Sequence, residues 1–98
     1  MKSLFVPTTL LALLTFTLPA HGEDLEQLQQ LLSTRACQNC DLSGTSFVYT
    51  DLSRVDLTGA DLSRANLNRT NLRNANLRGA NLTSAVLFNA DLTGADLT

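Results

Sequence analysis

Residues 75–84 read Ala75-Asn76-Leu77-Arg78-Gly79-Ala80-Asn81-Leu82-Thr83-Ser84, one five-residue phrase spoken twice. The phrase continues in both directions. Leu42, Phe47, Leu52, Leu57, Leu62, Leu67, Leu72, Leu77, Leu82, Leu87, Leu92 and Leu97 form twelve apolar centres at a strict spacing of five. Two positions before each centre stands a small residue: Cys40, Thr45, Thr50 and Val55 at the start, and mostly alanine from Ala60 to Ala95. The position between is usually Asp or Asn, and the two positions after are mostly polar or glycine.

A period of five suits neither ordinary element. On an α-helix, five residues advance about 500°, so successive centres stand about 140° apart and form no stripe. On a flat strand an odd spacing sends successive centres to opposite faces. Within one repeat, however, the centre and the small residue two before it share a face, with the Asp or Asn between them facing away. The chain therefore has to turn once per repeat to keep every centre inside. Regular turning in one sense makes a coil, and stacked coils bury a continuous column of side chains.

Upstream of the repeat the pattern changes twice. Glu23–Arg35 reads as a helix, with Leu25, Leu28 and Leu32 in one apolar stripe and Leu31 beside it. Glu23, Asp24 and Glu26 fall in its first turn and Arg35 in its last, the arrangement a helix dipole favours. Before it, Met1-Lys2 is followed by the apolar stretch Leu4–Ala20 and by Ala20-His21-Gly22. Charge, apolar core and small-x-small residues in that order form a secretory signal peptide, with cleavage expected after Gly22 and, as second choice, after Ala20. The domain boundaries expected are thus 1–22 for the signal peptide, 23–36 for a capping helix and 37–98 for the repeat.

The segments Ala60-Asp61-Leu62-Ser63-Arg64, Ala80-Asn81-Leu82-Thr83-Ser84 and Ala90-Asp91-Leu92-Thr93-Gly94 resemble the pentapeptide-repeat family, whose pattern is A(D/N)LXX. The resemblance covers residues 40–98 and is closest to small exported members of cyanobacterial type. It implies an all-β solenoid: a right-handed quadrilateral β-helix with four repeats per coil. Twelve repeats then give about three coils, next to a short N-terminal capping α-helix. It also implies a destination in the periplasm or thylakoid lumen, or alternatively secretion.

Composition narrows the function. The processed chain keeps six arginines against nine acids and no lysine, a formal net charge of −3. That balance favours neither nucleic acid nor an anionic membrane surface as a partner. His21, the only histidine, falls inside the signal peptide. Without a histidine, a lysine or a nucleophile–base pair, neither acid–base nor covalent catalysis has a cast, so no enzyme and no cofactor is expected.

Cys37 and Cys40 form a C-x-x-C pair. A redox motif needs a βαβ context that is missing, and a structural zinc site needs four ligands. A structural disulfide, stapling helix to first coil, is the favoured reading in an oxidising compartment. The Asp/Asn column is expected to hydrogen-bond the backbone at each turn rather than to hold a metal.

If residues twenty apart stack, the outward apolar residues Val48, Tyr49, Val86 and Phe88 share one face, with Arg69 between them near Tyr49. They form a candidate contact patch. Arg64, Arg69, Arg73 and Arg78 fall one to a face and are expected to neutralise stacked acids. The last coil is expected to present unpaired backbone, suited to self-association through the C-terminal coil or to an unknown protein partner. The functional expectation is a non-enzymatic exported structural or protein-interaction module. The alternative is a DNA-mimic gyrase-binding protein of the quinolone-resistance type, which resembles a long, acidic, cytoplasmic rod and fits this short, arginine-belted chain poorly.

Overall fold

The computed structural model describes residues 22–98, so Met1–His21, and with them nearly all of the expected signal peptide, lie outside the described residues. The structure is built from one local event repeated. In the repeats centred up to Leu92 the carbonyl of the centre accepts a hydrogen bond from the amide three residues on, as in Thr50 N to Phe47 O at 2.9 Å and Ala60 N to Leu57 O at 3.0 Å. The residue two after the centre has positive φ: Tyr49, Arg54, Arg64, Arg69 and Asn74 lie between 58° and 60°, and Gly59 and Gly79 at 70° and 69°. Positive φ at the third residue of a β-turn is what a type II turn requires. Left-handed backbone is uncommon for side chains such as Tyr and Arg, so the turn must be held from several directions.

The coils supply that hold. Parallel bridges join Asp41 to Asp61, Ser46 to Asn66, Asp51 to Asn71 and Asp56 to Asn76, and five further pairs repeat the same offset of twenty residues. Four repeats of five therefore complete one coil, and the cross-section is quadrilateral. Between coils the centre amide donates upward (Leu42 N to Asp61 O, 2.8 Å), and the residue before the centre donates downward (Asp61 N to Cys40 O, 2.8 Å). The left-handed residue also donates upward, as in Arg64 N to Thr83 O at 2.8 Å. Each strand segment is so short that it registers as a single bridge, yet in the middle coil its backbone groups are paired with the coils on both sides.

The register begins one repeat earlier than the leucines do. Ala36 bridges Asp56, and Cys37 N donates to Asp56 O at 2.9 Å, as a centre should. Cys37 is fully buried and occupies the centre of a thirteenth repeat spanning 35–39. Ala36, expected in the helix, belongs to the coil.

Helix α1 spans Gly22–Thr34. It stops because Arg35 turns left-handed, with φ at 62°, while its amide still donates to Leu31 O at 2.8 Å. That is a C-terminal αL closure made without glycine. Arg35 is therefore outside the helix rather than in its last turn. Its guanidinium instead binds the carbonyls of Asp51 at 3.0 Å and Ser53 at 2.6 Å. The apolar stripe is also rotated from expectation. Leu31 is fully buried in the core and Leu28 packs against it, whereas Leu25 and Leu32 are about half exposed. Gln27, next to Leu31 on the side away from Leu25 and Leu32, accepts a bond from Asp41 N at 2.7 Å, the amide that in higher coils is met by the coil beneath.

The centres from Leu42 to Leu77 are buried and join Val55, Ala60, Ala65 and Ala75 in one continuous core. Leu82, Leu87 and Leu92 are partly buried against it. Leu97, expected in the same column, is 52% exposed. Among the described residues no helix is long and apolar enough to cross a membrane. Burial along the column predicts a graded response to truncation. Leu62→Ala should destabilise by about 2–5 kcal/mol, the usual cost of a cavity in a packed core. Leu97→Ala should cost under about 1 kcal/mol. Urea denaturation followed by circular dichroism measures both, and equal losses would contradict this account of the core.

Candidate functional site

The side chains able to do chemistry are outward, and most are engaged in holding turns. The Asp or Asn before each centre accepts a bond from the amide two residues on: Asp51 Oδ1 from Ser53 N at 3.0 Å, Asn66 Oδ1 from Asn68 N at 3.1 Å, Asn76 Oδ1 from Arg78 N at 3.1 Å. Where the donating residue is Ser or Thr, its hydroxyl also donates to the same oxygen, as at Thr58 to Asp56 and Thr93 to Asp91, both 2.6 Å. This is the local Asx geometry that favours these residues in turns.

Such bonds stabilise the ionised carboxylate. The Thr93 hydroxyl, the Thr93 amide and then Arg73 pull the carboxyl of Asp91 from its ordinary 3.8 down to about 2. The corresponding hydroxyl and amide bonds lower Asp51, Asp56, Asp61 and Asp96 as well. Carboxyls held below their ordinary range stay ionised at neutral pH and make poor general acids. Among the described residues no three His, Cys, Asp or Glu side chains gather as a metal site would require.

Three arginines reach across coils to carboxylates. Arg73 lies 3.1 Å from Asp91, Arg78 lies 3.6 Å from Asp96, and Arg35 lies 3.9 Å from Asp51. These contacts are exposed and individually weak. Cys37 and Cys40 are joined as a disulfide across three residues, linking a core centre to the inward small position of the next repeat. So short a loop limits the chain-entropy gain to about 2 kcal/mol.

Arg69 is used differently. Its guanidinium lies over the Tyr49 ring at 5.6 Å and over the Phe88 ring at 5.5 Å from the centroids. Both fall within cation–π range. Tyr49 is 75% exposed, Phe88 63% and Val86 47%, while Val48 is half-buried. The register of twenty places all four beside Arg69 on the face of Phe47, Leu67 and Leu87. The Phe88 contact is not legible from stacking alone. Phe88 sits one after its centre and Arg69 two after, so a neighbouring ladder reaches across to meet the arginine.

Val86 also leaves a gap in the Asx ladder, since it stands where most other repeats carry Asp or Asn. The Phe88 amide is satisfied instead by Asn68 Oδ1 of the coil beneath, at 2.7 Å.

Comparison with known proteins bears on the whole repeat. A family model described as pentapeptide repeats, in eight copies, matches residues 37–74 and 65–98. No curated protein matches the chain. Among solved structures it is similar to HetL, a pentapeptide repeat protein involved in heterocyst differentiation regulation in the cyanobacterium Nostoc. The two are 34% identical over 61% of this chain and 31% of HetL, with a TM-score of 0.38. Rfr23, a pentapeptide repeat protein of the cyanobacterium Cyanothece, is 21% identical over 76% of this chain and 95% of its own, with a TM-score of 0.38. A pentapeptide repeat protein of the Arabidopsis thaliana thylakoid lumen is 30% identical over 61% of this chain and 49% of its own, with a TM-score of 0.28. The chain thus spans about a third of HetL and about half of the Arabidopsis protein.

The turn carboxylates predict an acid response of defined sign. A carboxyl whose folded value is depressed contributes stability that is complete above its ordinary 3.8 and lost as pH falls toward its folded value, about 2 for Asp91. The thermal midpoint should therefore fall between about pH 5 and pH 2. Asp91→Asn should flatten part of that fall. A midpoint that rises on acidification would contradict the assignment.

Proposed function

The chain belongs to the pentapeptide-repeat family, and from that premise we propose that it is a non-enzymatic, exported repeat module that presents a surface to a protein partner. In this reading residues 1–22 are removed on export. Helix α1 caps the first coil, and residues 35–98 form about three coils of the family's right-handed quadrilateral β-helix.

The carrying observation is the fate of the carboxylates. Asp51, Asp56, Asp61, Asp91 and Asp96 each accept a hydroxyl and an amide bond within their own turn. Groups so committed act as turn fasteners. The outward positions after each centre are left free to vary, and a scaffold with a variable surface suits binding. Export is supported by the order of residues in Met1–Gly22 and by the Cys37–Cys40 disulfide, a bond that persists in oxidising compartments. The periplasm and the thylakoid lumen both fit.

Cell fractionation with intact-mass analysis tests the reading. The expected product begins at Glu23, is found outside the cytoplasm, and carries Cys37 and Cys40 two hydrogens short of the reduced mass. A cytoplasmic protein that retains Met1–Gly22 with both thiols reduced would overturn export.

A further inference from the structure

The four faces of the coil differ in charge. The coils carry six aspartates, and the register distributes them evenly over three faces. Asp41 and Asp61 share the face of Leu62, Asp51 and Asp91 that of Leu72, and Asp56 and Asp96 that of Leu77. The face of Leu67 has none. In its place stand Ser46, Asn66 and Val86, and its single charge is Arg69. This same face carries Tyr49, Val86 and Phe88, the most exposed large apolar side chains of the coil apart from Leu97.

Arg69 lies over both the Tyr49 and the Phe88 ring, and among the described residues it makes no ion pair with a carboxylate, unlike Arg35, Arg73 and Arg78 and like Arg54 and Arg64, which lie on other faces. A guanidinium in contact with aromatic rings still carries N–H donors, in the fork geometry that matches a carboxylate. The fold gains nothing evident from the neighbouring Val86, since the turn loses its Asx bond there and Asn68 must supply the replacement.

Resting on the reading of the chain as an interaction module, we propose that the face of Phe47, Leu67 and Leu87 docks an acidic–apolar peptide segment of a partner protein. A partner carboxylate takes the edge of Arg69, and partner apolar side chains cover Val86, Phe88 and Tyr49. Charge selects this occupant. A second copy docking through the same face would set Arg69 against Arg69 with no acid on either face to neutralise them. A nucleic acid would find one cation between apolar side chains, on a processed chain of net charge −3.

Tyr49 is the sole tyrosine and the chain has no tryptophan, so intrinsic fluorescence reports on this face alone. The probe is a short, blocked peptide of alternating glutamate and leucine, titrated into the processed protein. A saturable change in Tyr49 emission is expected. Arg69→Gln should weaken binding about tenfold or more, and Val86→Ser with Phe88→Thr should abolish it, both with the thermal midpoint nearly unchanged. A lysine–leucine peptide, free to meet the acidic faces, should leave Tyr49 unmoved. No saturable change with the glutamate peptide, or unaltered affinity in both variants, or an equal response to the lysine peptide, would overturn the assignment. Chemical crosslinking in the native cell separates this claim from the broader one. A partner retained by the Val86→Ser, Phe88→Thr variant overturns this face and leaves the interaction-module reading standing. The absence of any crosslinked partner overturns that reading itself.

Discussion

A backbone that turns every five residues cannot satisfy its own amides and carbonyls within the turn, and the solution here is to satisfy them on the coil twenty residues away. Leu42 N reaches Asp61 O, Asp61 N returns to Cys40 O, and the pattern climbs the structure repeat by repeat. The left-handed residue in each turn is costly where it is Arg or Tyr, about 1 kcal/mol or more. It persists because a β-turn bond and a coil-to-coil bond converge on it, and in most repeats an Asx bond joins them. Removing one coil would leave its neighbours with unpaired backbone and half-covered leucines, so the fold is a property of the stack rather than of any repeat.

The same arrangement decides where function can reside. The centre and the small residue are committed to the core, and the Asp or Asn is committed to the turn. That leaves the two positions after each centre as the freest, together with those few repeats that abandon the Asx residue. Val86 is one of these, and its neighbours Phe88, Tyr49 and Arg69 occupy free positions on the same face. The one acid-free face of the coil is thus also its most apolar one.

Much of this is legible in the amino-acid sequence itself. The period of five excludes helix and flat strand, and it assigns inside and outside for every residue from Cys40 to Leu92. The number of repeats in a coil is not contained in the period, since nothing within one repeat says how sharply it turns; that number comes by family resemblance and is seen directly in the offset of twenty. Cys37 escapes notice as a centre because Arg35 stands where the small residue belongs and Ala36 where Asp or Asn belongs, although Cys37 stands five before Leu42. The helix stripe is misaimed for a geometric reason. Leu25, Leu28, Leu31 and Leu32 span a single stripe of about 120°, and docking on the first coil uses only its Leu28–Leu31 edge. The pairing of Arg69 with Tyr49 follows from the register, but the closure by Phe88 depends on side chains crossing between ladders.

Everything placed on a face depends on the register, so the most direct test is a nuclear Overhauser map of the protein. The account predicts backbone contacts between residues twenty apart, such as Asp61 with Asn81 and Ser46 with Asn66, throughout the coil. Contacts at an offset of fifteen or twenty-five instead would dissolve the quadrilateral section, scatter Tyr49, Arg69 and Phe88 onto different faces, and contradict the account.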